Sequence, residues 1–195
     1  MAAKAITRTD VLSMEDYGKI RAEKRKNLVE TKRHRRMAVG PHATWYFECY
    51  ETMWWQIHEM LFIERGGEAQ IGDELQAYNP LIPNGRELVA TIMFEINDPA
   101  VRKAVLDQLG GIEETFFISI DGVEVTGVAE EDVDRTSATG KASSVQFAHF
   151  PMSDEQVAAF QRPGAQIMVG SRHPNYGHIA LMPELARTAL ADDLD

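Results

Sequence analysis

Apolar positions change period several times along the chain, and each change marks an element. Residues 14–31 are dominated by charge and free of proline, with Ser13 and Asp16 at capping-box spacing and Glu15 four residues before Lys19. That pattern predicts a solvated helix. β-branched and aromatic residues then cluster in 36–40 and 43–49 about a Gly40-Pro41 break, which predicts two short strands able to pair as a hairpin. From 51 to 65 the period returns to helical, with Met53, Ile57, Met60, Leu61 and Glu64 on repeating positions. Trp54, Trp55 and Phe62 make this helix apolar on more than one side, as befits a central buried helix. Gly66-Gly67 ends it, and Ile71, Leu75 and Tyr78 outline a shorter amphipathic helix that stops at the rigid turn 79–85.

The second half mixes strands and helices. A strong strand is predicted at 88–96, then a helix opened by Asp98-Pro99 and running to about Leu109. Strands at 115–120 and 123–128 flank Asp121-Gly122, the clearest hairpin signal in the chain. A long loop at 129–143, rich in charge and small residues, is expected to be mobile. Beyond it come a strand at 144–150, a helix capped by Ser153 and ending near Phe160, strands at 166–170 and 178–182, and a last helix at 183–194. Helices and mostly antiparallel strands in irregular order indicate the α+β class. The expected organisation is a helical N-terminal arm over 1–36 and a single α+β domain over 37–195, its sheet packed against helices.

Charge changes this picture at the arm. The 195-residue chain has 20 basic and 30 acidic side chains, a net charge of -10 that argues against a surface shaped throughout for phosphate backbones. Up to Arg36, however, 11 basic residues face 5 acidic ones, and the rest of the chain carries 9 against 25. The basic excess peaks at Lys32-Arg33-His34-Arg35-Arg36. Such a run either pairs with acidic surface on its own domain or docks on an acidic partner, with Arg33, Arg35 and Arg36 at the contact. RNA is the weaker reading, because no aromatic residues interleave with these charges. No apolar run approaches the ~20 residues of a membrane span, and the first residues lack an apolar signal centre, so a cytoplasmic protein is expected.

Familiar catalytic signatures fail. Gly140-Lys141 is followed by Ala142 rather than a hydroxyl residue, and Arg135 stands where a phosphate loop needs its first glycine. The Glu-x-x-His pairs of di-iron bundles are absent. The single cysteine, Cys49, forms no internal disulfide and holds no iron–sulfur cluster by itself, and among Phe47 and Tyr50 it reads as a buried, inert thiol. Two polar clusters remain. Gln56, His58, Glu59 and Glu64 lie on the aromatic helix, with Glu74 and Asn79 following. A carboxylate there must reach water, pair with a cation or ionise abnormally, and pairing with 33–36 is the plain solution. The second cluster is the turn His173-Pro174-Asn175-Tyr176-Gly177-His178, with His149 on an earlier strand. It reads first as a structural turn. The sharper reading joins His173 and His178 to a carboxylate of the first cluster around one divalent metal, and a metal-dependent enzyme would use Gln56, Glu59, Glu64 and His173, with Tyr176 as a candidate proton donor. Trp45, Trp54 and Trp55 add large apolar surface, for which a homodimer is one ordinary cover.

The segments Arg36-x-x-Val39-Gly40-Pro41, Phe47-Glu48, Gln56-Ile57-x-Glu59-Met60, Glu64 and Glu74-Leu75-x-x-Tyr78-Asn79-Pro80-Leu81-Ile82-Pro83 carry a resemblance. Together with His149-Phe150 and His173-Pro174-x-Tyr176, they resemble a bacterial family known as domain of unknown function 3501. The family turn reads Asp-His-Pro-x-Tyr, and Arg172 here replaces the acid, which weakens any scheme where that acid orients the histidine. The family has no assigned reaction. Its members are often encoded beside a rubrerythrin-like protein and a cysteine-rich iron–sulfur oxidoreductase, so the resemblance implies an accessory or assembly subunit of a redox or oxidative-stress system, with any cluster belonging to the partner. The alternatives are a metal-dependent enzyme with a Glu/Gln/His site and an RNA-binding module using the arm.

Overall fold

The computed structural model describes residues 4–130, 136 and 140–195. Ser13 starts α1 (Met14–Arg33) by accepting the Asp16 N–H with its hydroxyl, which satisfies one of the free donors of the first turn. A hairpin follows, β1 (Arg36–Val39) and β2 (Ala43–Phe47), turning at Gly40, whose φ of 71° favours glycine. Next come α2 (Tyr50–Glu64), α3 (Glu68–Tyr78) and β3 (Glu87–Phe94). Asp98 caps α4 (Pro99–Leu106), which ends about a turn earlier than its apolar spacing suggests, the chain tightening beyond it as Gln108 and Leu109 donate to the carbonyls three residues back. β4 (Phe116–Ile120) and β5 (Val123–Thr126) turn at Asp121 and Gly122, both at positive φ, as a tight two-residue hairpin requires. The remaining elements are β6 (Val128–Ala129), β7 (Val145–Pro151), α5 (Asp154–Gln161), β8 (Ile167–His173), β9 (Tyr176–Leu181) and α6 (Glu184–Ala191).

The strands form two antiparallel sheets, ordered β1-β2-β3-β7-β6 and β5-β4-β8-β9. Alternation along each strand sends one face inward, and the inward residues of both sheets make the main core with α5 and α6. Trp45 lies at its centre, 1% exposed, its ring 5.5 Å from both Phe116 and Phe150. Trp45 therefore adds nothing to the exposed apolar surface that suggested a dimer. The other face of the first sheet carries a second core, where Val89 meets Met53, Ile57 and Leu61 of α2 and Ile71 of α3. The chain before Arg36 enters this core through Ile6 and Val11, while Asn79 fixes Ile6 by accepting its N–H at 2.7 Å and donating to its carbonyl at 2.9 Å.

Most strand and helix expectations agree with these elements, and the structure is α+β. The histidine turn is tighter than expected: β8 and β9 extend to pair His173 with Tyr176, leaving Pro174-Asn175 as the turn. Of the loop expected at 129–143, Thr136 bridges to Ala142 and β6 takes its start. The expected mobility of 131–135 and 137–139 falls outside the described residues.

Candidate functional site

α1 lies along α2 on the side away from the first sheet. Its inward stripe is narrow, with Tyr17 fully buried and Leu28 three turns further on along the same face. The Tyr17 ring sits among Trp54, Trp55, His58 and Phe62, with centroids 4.9–5.9 Å away and mostly edge-on, the arrangement aromatic quadrupoles favour. Its hydroxyl donates to Glu59 at 2.6 Å, and Arg21, four residues on and so on the same face, grips both Glu59 oxygens at 2.7 Å. Arg21 holds the Glu59 carboxyl below the usual carboxylate range, against the effect of burial. The sequence expectation of a partner in 33–36 is thus corrected. Arg33 lies 12 residues, about 18 Å of helix, beyond Arg21, out of reach of Glu59.

The packing leaves grooves on both flanks of α1. One holds a hollow of about 570 Å³ whose lining includes Ile20, Lys24, Thr31, Tyr50 and Trp54, with the Lys24 ammonium 5.1 Å from the Trp54 ring. The opposite flank has two adjoining hollows of about 460 and 410 Å³. They share Arg25 and Val29, are floored by Phe62 and Trp55, and carry Arg21, Lys32, Arg33 and Arg36 on their rims. Aromatic residues absent from the basic segment in sequence are thus brought beside it by α2. Arg33 pairs with Glu30 at 3.1 Å and Arg36 is exposed. Arg35 is not at this surface: it is buried, its guanidinium bound bidentately to Asp193 at 2.6 and 2.8 Å. Strand alternation explains this, since Arg35 immediately precedes β1 and its carbonyl accepts the Phe47 N–H at 2.7 Å.

The metal-candidate residues are dispersed. Gln56 reaches the Tyr78 hydroxyl at 3.4 Å, and Glu64 and Glu74 each accept from the Gln70 amide at 2.7 Å. His58, fully buried, points Nδ1 at the Trp54 carbonyl and accepts the Leu12 N–H at Nε2, and burial depresses its basicity. His173 accepts the Asn175 N–H at Nδ1 and donates from Nε2 to the Gly110 carbonyl. His178 packs edge-on to the Tyr176 ring, 4.6 Å between centroids. The Tyr176 hydroxyl accepts the His42 and Ala43 N–H groups and donates to the Val39 carbonyl, so all its hydrogen-bonding capacity ties β9 to the β1–β2 turn. The structure brings His173, Tyr176 and His178 to one face of the second sheet and leaves Gln56, Glu59 and Glu64 on α2. Among the described residues, no three His, Cys, Asp or Glu side chains come together as a metal site.

Two polar arrangements escaped sequence reasoning. His149 donates to Glu87 at 3.2 Å, with Glu130 3.7 Å from its other nitrogen; the Glu87 hydrogen bond raises the imidazole above its ordinary basicity despite burial. Buried Glu48 accepts from Thr91 at 2.6 Å. Only the register of β3 against β7, which sets His149 beside Val89 and two residues from Glu87, makes the first readable. Cys49 caps α2, 3% exposed, and burial pushes its thiol up to about 11, too high for a reactive thiolate at neutral pH.

Fold and surface define an α+β chain of two antiparallel sheets flanked by a basic helix on an aromatic one. It belongs to the DUF3501 family, described as proteins of unknown function, which matches residues 5–194. A crystal structure of a novel protein of unknown function from Burkholderia pseudomallei K96243, at 1.90 Å resolution, is similar throughout: 36% identity, 98% of this chain and 100% of that one covered, TM-score 0.90. No curated protein matches the chain. No helix among the described residues is long and apolar enough to cross a membrane.

Proposed function

We propose that this chain is a non-catalytic accessory or assembly subunit of a redox or oxidative-stress system, docking on its partner through the basic face of α1. The observation that carries this reading is the surviving charge separation. Arg25, Lys26, Lys32 and Arg36 have no carboxylate within ion-pair distance among the described residues, although the chain has a large acidic excess to offer. Cations left unneutralised beside a groove favour long-range steering toward an acidic surface. The redox assignment rests on the company implied by the family resemblance, so the rubrerythrin-like protein and the iron–sulfur oxidoreductase are the partners to test, in the cytoplasm.

Co-expression at native level followed by affinity purification of this chain is the test. A complex with either partner at low salt, weakening at moderate salt, is the expected result; recovery of the chain alone at both overturns the reading. The same preparation separates the rivals. Stoichiometric metal by elemental analysis would favour the metal-dependent enzyme, and steeply salt-dependent binding of RNA would favour the nucleic-acid module.

A further inference from the structure

The basic flank of α1 has a geometry more specific than its charge. Arg25, Val29 and Lys32 stand at i, i+4 and i+7, so they form one stripe on the helix surface. The two cations lie about 10 Å apart along the axis, and between them Val29 is 60% exposed beside Trp55. Arg36 prolongs the stripe past the end of α1. The only acidic side chain of α2 near this flank, Glu59, is engaged by Arg21 and Tyr17. The groove is therefore basic at both ends and apolar in the middle; no acidic side chain lines either hollow, and Glu30 at the rim is paired with Arg33 at 3.1 Å.

We propose that this stripe seats an acidic amphipathic helix of a partner protein. Two carboxylates of that helix, two turns apart at i and i+7, meet Arg25 and Lys32, and an apolar side chain between them packs on Val29 and Trp55. The proposal rests on the accessory-subunit reading and names the partner chemistry it requires. A helix laid along a helix pair presents side chains at this repeat, and charge complementarity fixes its register. Single-stranded nucleic acid fits less well: it needs free aromatic faces for stacking, whereas the Trp55 ring is held edge-on by Tyr17 and the Phe62 ring is covered by the Arg21 guanidinium at 5.1 Å.

The probe is a fluorescein-labelled 14-residue helical peptide with Glu at i and i+7 and Leu at i+4, titrated with the full chain and read by anisotropy. Saturable binding is expected. The pair Arg25→Glu with Lys32→Glu should weaken it at least tenfold, Leu→Ser in the peptide at least fivefold, and the distant Lys103→Glu less than twofold, with unchanged circular dichroism throughout. Absence of saturable binding overturns the proposal, as does an equal loss from Lys103→Glu, which would mark a net-charge effect. Displacement of the peptide by equimolar oligouridylate, or a homodimer in sedimentation that the double variant dissociates, overturns it in favour of RNA or a second copy. A native complex that forms yet ignores the double variant overturns the stripe and leaves the accessory reading intact; no native complex with wild-type chain overturns that reading instead.

Discussion

Replacing Arg35 by Met keeps an unbranched apolar stem in place while removing the charge that faces Asp193. Both side chains are buried, 10% and 9% exposed, and the guanidinium also donates to the Ala189 carbonyl at 3.2 Å. Burial raises the Asp193 carboxyl above its ordinary value even with Arg35 present, so loss of solvent outweighs the attraction for the acid. Removing one partner of such a pair costs about 3–5 kcal/mol, which for a domain near this size lowers Tm by roughly 6–20 °C. The sign with pH follows from protonation. Without Arg35 the folded-state value of Asp193 climbs further above the unfolded value of about 4, so the folded variant binds a proton that the unfolded chain releases. Its stability therefore falls as pH rises through that interval, and its deficit against wild type is smaller at pH 5 than at pH 7. Adding Asp193→Leu removes the stranded charge and restores stability to within about 1–2 kcal/mol of wild type. Urea unfolding at the two pH values checks all three statements. A deficit below about 1 kcal/mol, a deficit independent of pH, or a double variant no better than the single would refute the reasoning.

Other outcomes follow from single contacts. Tyr176→Phe strands two N–H groups and a carbonyl between β9 and the β1–β2 turn, and should cost about 2–3 kcal/mol in chemical denaturation. Gly40→Ala should cost about 2 kcal/mol or more, because a Cβ at φ 71° is strained and would come within 2.5 Å of the His178 ring and 2.9 Å of the fixed Tyr176 hydroxyl. His149 should titrate above 6.5 by NMR, and Glu87→Gln should lower it. Since the folded imidazole holds its proton more tightly, its stabilising contribution is complete below the unfolded value and lost as pH rises through the folded one. His149→Gln should flatten the part of the wild-type decline of stability that begins as pH rises past the ordinary imidazole value of 6.5.

Local order was readable before the fold. Ser13 caps α1, Asp98 caps α4, and Asp121-Gly122 turns β4 into β5, because capping and turn chemistry act over three or four residues and need no distant partner. The helical repeat of α2 and the alternation of β3 likewise report which face is buried. The candidate site was legible only in its ingredients. Sequence marked Glu59 as a carboxylate needing a cation and offered 33–36, but the register of α1 on α2 selected Arg21.

By itself the sequence determined the α+β class, the caps, the turns and the polarity of charge between the first 36 residues and the remainder, all properties of neighbouring residues or of composition. Tertiary structure alone decided that Arg35 leaves the basic run to bury itself against Asp193 and that Tyr176 spends its hydroxyl on the backbone. It also set Trp55 and Phe62 beneath cations up to 41 positions away. These pairings depend on how elements cross, which is fixed by the summed burial of two cores; periodicity tells which face of an element is hidden, not which partner it meets.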